Sequence, residues 1–249
     1  MCEHESGTTD IIDWAVLLMP WGRVGSNLCV DILLQSHNVR LENEPLTVIK
    51  ASHPDATDQQ LAAHQMEWLE SNVSPSNDGQ RLIVKVAANS IADPSAFTRF
   101  LEQRKARLIM MDRRNVMATV VSALRAEEYA RQEERETGVA AWSLAKGKTA
   151  DIMPEISLRG LRTGVRNVLS SRRICDEITS VIPPRATILY EDLARDLDAE
   201  VARLTAAVGL EPFPYEVRYA KFTPMPLREA VANPQLIDQV AAEFGLPVE

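Results

Sequence analysis

A chain of 249 residues with 45% apolar and 25% charged side chains has the proportions of a soluble globular protein with a sizeable core, and excludes a disordered or fibrous one. A formal charge of −8 argues against a general nucleic-acid or anionic-membrane binder, so any anion must be held by a local cluster of donors. Three scattered cysteines (Cys2, Cys29, Cys175) without a CxxC exclude a disulfide scaffold and a cysteine-rich zinc site, and fit a reducing compartment.

Residues 1–10 are polar and acidic, without the basic and then apolar stretch of a secretory signal. The longest apolar run, around Ala15 to Met19, is far short of a bilayer span. The expectation is a cytoplasmic protein with no integral membrane segment.

Trp14 to Met19 reads as a fully buried strand ended by Pro20 and Gly22, and Ser26 to Gln35 as a buried helix. Arg81 to Val86 and Arg107 to Met111 are two further short strands. Between them, Asp93-Pro94 opens a helix with proline in its first turn. Asn115 to about Glu136 is a long helix whose charged far end reads as a solvated face. Ile156 to Ile182 is helical in pattern and stops at Pro183-Pro184. Ala186 to Tyr190 is a strand, and Glu191 to Val208 a helix ended by Gly209. Strands alternating with helices predict an α/β fold, three layers around a central parallel sheet covered on both faces. The loop Ser71 to Gln80 divides nothing, so the chain reads as one domain with a helical appendage from about Pro212.

Chemistry concentrates first in Pro20 to Leu28, between a buried strand and a helix. Gly22, Gly25, Arg23, Ser26 and Asn27 at that junction suit an anion, held by backbone N–H groups, two polar side chains and one charge. An ordinary strand-to-helix turn with a capping serine fits the segment equally. A Walker A loop does not: Gly147-Lys148-Thr149 has its ending, but Trp142 stands where the first glycine belongs and no strand precedes it. Lys146 to Thr149 reads as a loop. A second feature is Asp112-Arg113-Arg114-Asn115 at the end of a strand, where open α/β sheets bind ligands, with Ser122 about two helical turns on. The alternative is a pair of surface arginines matched to Asp112.

On these segments the chain resembles the sulfotransferases that use 3′-phosphoadenosine-5′-phosphosulfate (PAPS). RVGSNLCVDIL resembles their 5′-phosphosulfate loop: a basic residue, a small residue, glycine, two Ser/Thr-like residues and an apolar one. The likeness implies cofactor contacts from Arg23, Val24, Gly25, Ser26, Asn27 and Leu28. DRRNVMATVVSALRA resembles their 3′-phosphate motif, which implies Arg114 and Ser122 on that phosphate. ILYEDLARDLDAEVARLTAAVGL resembles the strand-helix unit that closes the domain, and PLREAVANPQL a C-terminal segment of bacterial members, which brings Arg228 forward as a cofactor residue. The resemblance runs from about Trp14 to about Asp238.

Asn27 departs from the commoner Ser or Thr. The Lys-x-His of aryl and steroid members is absent too, since Ala87 follows Lys85 at the histidine position. Carbohydrate-type members use a glutamate in a Glu-Pro segment after the first helix, and Asn43-Glu44-Pro45-Leu46 corresponds. The resemblance therefore implies Glu44 as general base, with Glu42 and His53 as competitors and His37 as a helix-end residue. Arg23 and Lys85 would stabilise the charge that develops in transfer. The expected function is transfer of a sulfuryl group from PAPS to a hydroxyl of a sugar or glycosylated small molecule, with no metal. The alternatives left open are a nucleotide-dependent phosphotransferase with an unconventional loop and an inactive nucleotide-binding module. Loops Thr47 to Gln80 and Glu136 to Glu155 are expected to build the acceptor pocket, and a homodimer is left open.

Overall fold

The computed structural model describes residues 14–73, 80–139, 144–150, 152–220 and 223–248. Residues 1–10, Cys2 and most of the Ser71 to Gln80 loop lie outside them. Five parallel strands form one sheet: β1 (Trp14–Met19), β2 (Val39–Asn43), β3 (Arg81–Ala87), β4 (Arg107–Asp112) and β5 (Ala186–Leu189), in the order β2-β3-β1-β4-β5. β1 is central and buried along its whole length, which is why its sequence is a continuous apolar run rather than an alternation.

Successive β1 side chains feed two cores. Trp14, Val16 and Leu18 pack with Leu82, Val84 and Val86 against Leu69 of α3 (Asp58–Asn72), Phe97, Phe100 and Leu101 of α4 (Pro94–Gln103), and Cys175 and Ile178 of α6 (Leu158–Val181). Ala15, Leu17 and Met19 pack on the other face against Cys29, Val30 and Leu33 of α1 (Ser26–Leu33) and Leu204 and Val208 of α8 (Leu197–Val208). Each such fully buried aliphatic contributes about 1.5–3 kcal/mol relative to exposure. A third cluster joins α5 (Val116–Thr137), α6 and α9 (Gln235–Phe244). There the helices meet closely, since a Cβ on Gly164 would stand 2.5 Å from Val120 Cγ1.

The α/β class, the parallel sheet and the helix cover follow the sequence expectation, and Asp93 and Asn115 cap α4 and α5 through Ala96 N–H and Ala118 N–H at 2.9 and 2.8 Å. Four segments differ from it. Val39–Asn43 is an edge strand, and the supposed acceptor loop Thr47 to Gln80 contains most of α2 (Pro45–Ser52) and all of α3, the latter opened by a Thr57/Gln60 capping box. The helix after β5 is two helices, α7 (Tyr190–Arg195) and α8, because Asp196 leaves helical geometry to accept from Ala199 N–H at 3.1 Å. The C-terminal region is mostly irregular, with a short 3₁₀ turn at Leu227–Ala230 before α9.

This order decides where the site falls. From β1 the chain crosses by α1 to edge strand β2, and from β3 it crosses by α4 to β4 on the far side of β1. The connections diverge at the carboxyl end of β1, and a crevice opens there.

Candidate functional site

A cleft of about 370 Å³ occupies that crevice, lined by Gly22, Arg23, Gly25, Ser26, Asn27 and Leu28 from the β1–α1 turn, Glu44, Lys85, Arg113, Ser122 and Tyr190, with Leu144, Tyr219, Ala220 and Thr223 on the opposite wall. The opposite wall is a two-stranded clip: Ala145 bridges Tyr219, and Lys146 N–H and Ala220 N–H donate across it at 2.7 and 2.9 Å.

The β1–α1 turn is built for close approach. Gly25 caps α1 at φ 83, where a side chain is strained, and a Cβ there would stand 3.1 Å from Leu193 Cδ1 and 3.4 Å from Tyr190 Cδ2. No side chain caps α1, so its first N–H groups face the cleft as donors. Val24 is buried in the core beneath, so a ligand contact from it runs through the backbone. Arg23 sits at φ 70, and its Nε donates to Ser122 Oγ at 3.3 Å. Burial lowers the Arg23 pKa to about 10, with Tyr190 opposing and Arg113 adding to the fall.

Lys85 and Glu44 meet because β2 and β3 are paired in register. Asn43 stands beside Lys85, and Glu44 N–H donates to the Lys85 carbonyl at 3.0 Å, one step beyond the strand. Lys85 shares the sheet face of Ile83 and Ala87, toward α1. Its buried Nζ lies 2.8 Å from Glu44 Oε1 and donates to Asn27 Oδ1 at 2.6 Å. Glu44 is itself left-handed, at φ 53 and ψ 46, directly before Pro45 at the start of α2. Among the described residues the non-glycine positive-φ positions are Arg23, Glu44 and Lys105, so two of three carry the cleft's charge. Such backbone costs roughly 1–2 kcal/mol per residue and clusters at functional sites.

Of the residues nominated from sequence, Arg23, Gly25, Ser26, Asn27, Leu28, Glu44, Lys85 and Ser122 line this one cleft. Arg114 does not. Its guanidinium is half exposed and paired with Asp192 at 2.9 Å, while its neighbour Arg113 lines the cleft. Arg228 lies on the 3₁₀ turn, bonded to Asp238 at 2.8 Å and outside the lining, because α9 supplies its counter-charge. Glu42 points off edge strand β2, and His53 closes α2, bonded to Ile49 O at 2.9 Å and stacked on His64; neither lines the cleft.

Sequence reasoning passed over Tyr190 and Thr223, and of the Arg113-Arg114 pair it gave the ligand role to Arg114. The Arg113 guanidinium lies 4.3 Å over the Tyr190 ring, and burial lowers its pKa, with Tyr190 and Glu191 opposing. Its Nε and the Thr223 Oγ1 are buried without a hydrogen-bond partner, two donors in the lining left for something bound there. The remaining thiols are inert in comparison: Cys29 and Cys175 are buried and free, and burial raises Cys29 to about 12. Among the described residues no group of three or more His, Cys, Asp or Glu gathers to hold a metal, and no helix is long and apolar enough to cross a membrane.

Comparison with known proteins gives fold similarity alone. No family model matches the chain, and no curated protein does. Eighteen chains of solved structures match it in fold. One is a crystal structure of a sulfotransferase from Alicyclobacillus acidocaldarius, with a TM-score of 0.50 and 15% sequence identity over 93% of this chain and 96% of that one.

Proposed function

We propose that this chain is a PAPS-dependent sulfotransferase acting on a hydroxyl of a sugar or glycosylated small molecule. One observation carries the proposal. Arg23 from a turn, Lys85 from a strand and Glu44 from a helix cap, far apart in sequence, line one cleft at the carboxyl end of the sheet. The fold shared with a sulfotransferase agrees with it.

The residues fit a nucleotide bearing several anionic groups. An α1 N-terminus without a side-chain cap, a glycine where a side chain would collide, three cations and two orphaned buried donors all face the same space. PAPS supplies the sulfuryl group, which passes from the oxygen of its 5′-phosphate to the acceptor oxygen. Arg23 and the α1 N–H groups bind the phosphosulfate and neutralise charge on the departing phosphate oxygen. Lys85 holds the sulfuryl oxygens and orients Asn27. Arg113 and Ser122 take the 3′-phosphate, the part first assigned to Arg114 and Ser122. Glu44 accepts the acceptor proton, a service worth typically 10²–10⁴-fold.

The test is a PAPS-consumption screen against sugars, glycolipids and glycosylated natural products, followed by appearance of 3′-phosphoadenosine 5′-phosphate. Product that depends on an acceptor hydroxyl and not on magnesium is expected. Preference for ATP over 3′-phosphoadenosine 5′-phosphate, with magnesium dependence, overturns the reading in favour of phosphoryl transfer.

A further inference from the structure

Arg113 and Arg114 are consecutive, at the carboxyl end of β4 beside the crevice. Only one is presented to it. Three consecutive residues at the end of β5 each hold a different part of this pair. The Tyr190 ring carries the Arg113 guanidinium on its face at 4.3 Å. The Glu191 carboxylate accepts the backbone N–H of Arg114 at 3.0 Å and of Asn115 at 3.3 Å, so it fixes the peptide between the arginines and the start of α5. The Asp192 carboxylate takes the Arg114 side chain through both nitrogens, Nη2 at 2.9 Å and Nη1 at 3.4 Å. From behind, Arg172 pairs with Asp112 at 3.1 Å and donates to the Arg113 carbonyl, and Asp112 accepts the Arg113 N–H at 2.7 Å. The turn can neither rotate nor slip without breaking several of these bonds.

The two arginines differ in what they have left to give. The Arg114 guanidinium is 55% exposed and engaged by a carboxylate that is 13% exposed, a two-pronged contact on a carboxylate that also pairs with Arg195 at 2.9 Å. The charge on Arg113 rests on an aromatic face, with Nε unpartnered. We infer that Tyr190, Glu191 and Asp192 are positioning residues that select Arg113 as the anion-binding arginine of the cleft, and that Asp192 is the element that withholds Arg114. Selection follows from an ion pair outside the cleft, so loss of that pair frees the Arg114 side chain while Glu191, Asp112 and Arg172 still hold the turn.

The identity of the anion rests on the proposed function; the selection does not, and two measurements separate them. The first needs no ligand: exchange of the arginine Nη–H protons, the ones that Asp192 accepts from Arg114, by ¹⁵N NMR on the whole protein, wild type against Asp192→Asn, a substitution of the same size. Faster exchange at Arg114 with Arg113 unchanged is expected. Unchanged exchange at Arg114, or equal acceleration at both, overturns the selection.

The second is calorimetric binding of 3′-phosphoadenosine 5′-phosphate. Arg113→Ala is expected to lose about tenfold or more, and Arg114→Ala less than threefold, since a lost charge-assisted hydrogen bond is worth roughly 1.5–3 kcal/mol. The double variant Arg113→Ala/Asp192→Asn is expected to regain at least fivefold over Arg113→Ala, a rescue that loss of a merely structural contact cannot produce. No regain in a folded double variant overturns the proposal. Absence of binding by the wild type overturns the nucleotide reading instead, and the exchange measurement then decides the selection alone.

Discussion

Replacing Glu44 by glutamine keeps the size of the side chain and an oxygen for the Lys85 ammonium at 2.8 Å, while removing the ability to take a proton. If Glu44 is the base, kcat falls by 10²–10⁴, equivalent to about 2.7–5.4 kcal/mol of barrier at 1.36 kcal/mol per decade. The structural cost is smaller and separable. Lys85 is buried and keeps Asn27 Oδ1 at 2.6 Å, and the Glu44 side chain is 30% exposed, so one weakened charged contact costs about 1–2 kcal/mol. In a protein of this length that lowers Tm by about 2–8 °C and leaves it folded at assay temperature. Turnover is measured as nucleotide product under saturating donor and acceptor. Glu42→Gln is expected to be nearly silent, its side chain leaving edge strand β2 outside the cleft lining. Glu44→Gln with kcat within threefold of wild type across the pH range, in a protein that still binds nucleotide, refutes the assignment.

Arg23→Met should bind nucleotide less tightly but lose more in kcat, since its charge is needed most as the leaving oxygen becomes charged; normal kcat with raised KM would place Arg23 in ground-state binding only. The same variant should stabilise the unliganded protein. With the folded pKa lowered to about 10 by burial, the desolvation cost is present in full below pH 10 and relieved as pH rises from there toward 12.5, so the Tm advantage of Arg23→Met over wild type is expected to be largest near neutrality and to shrink above pH 10. Glu44→Gly should be more stable than Glu44→Ala by about 1 kcal/mol in denaturant melts, because glycine alone adopts φ 53 without strain. Gly164→Ala should cost about 1–3 kcal/mol, as its methyl would stand 2.5 Å from Val120 Cγ1 at the α5–α6 contact; an unchanged melting curve refutes the closeness of that packing.

The sheet was legible because β1 is buried on both faces and β3 and β4 nearly so, and burial on both faces writes a short unbroken apolar run. β2 was not, because an edge strand such as VRLEN buries only Val39, and the alternation of Val39 and Leu41 with Arg40 and Glu42 is too short to stand out. α3 carried a start signal in Thr57 and Gln60, but its buried positions are just Leu61, Gln65 and Leu69, too sparse to read as an apolar face. At the site, the glycines and the strand-to-helix junction pointed to the turn that lines the cleft, and motif order brought Lys85, Glu44 and Ser122 forward. Arg114 against Arg113 was beyond reach. Which of two adjacent arginines faces a crevice is decided by Asp192 and Tyr190, about 78 residues away along the chain, and spacing within the motif holds no information about them.

The three cations of the cleft are held in an acidic chain by different neighbours. Each is balanced differently. Arg113 has an aromatic face, Lys85 has the Glu44 carboxylate, and Arg23 has the Ser122 hydroxyl and the nearby Tyr190. An anion entering the crevice would meet an Arg23 whose charge is already largely desolvated by burial. It would also compete with Glu44 for the Lys85 ammonium. On the proposed reading that competition has a chemical use: occupation of the nucleotide site frees the Glu44 carboxylate from the Lys85 ammonium to face the acceptor hydroxyl.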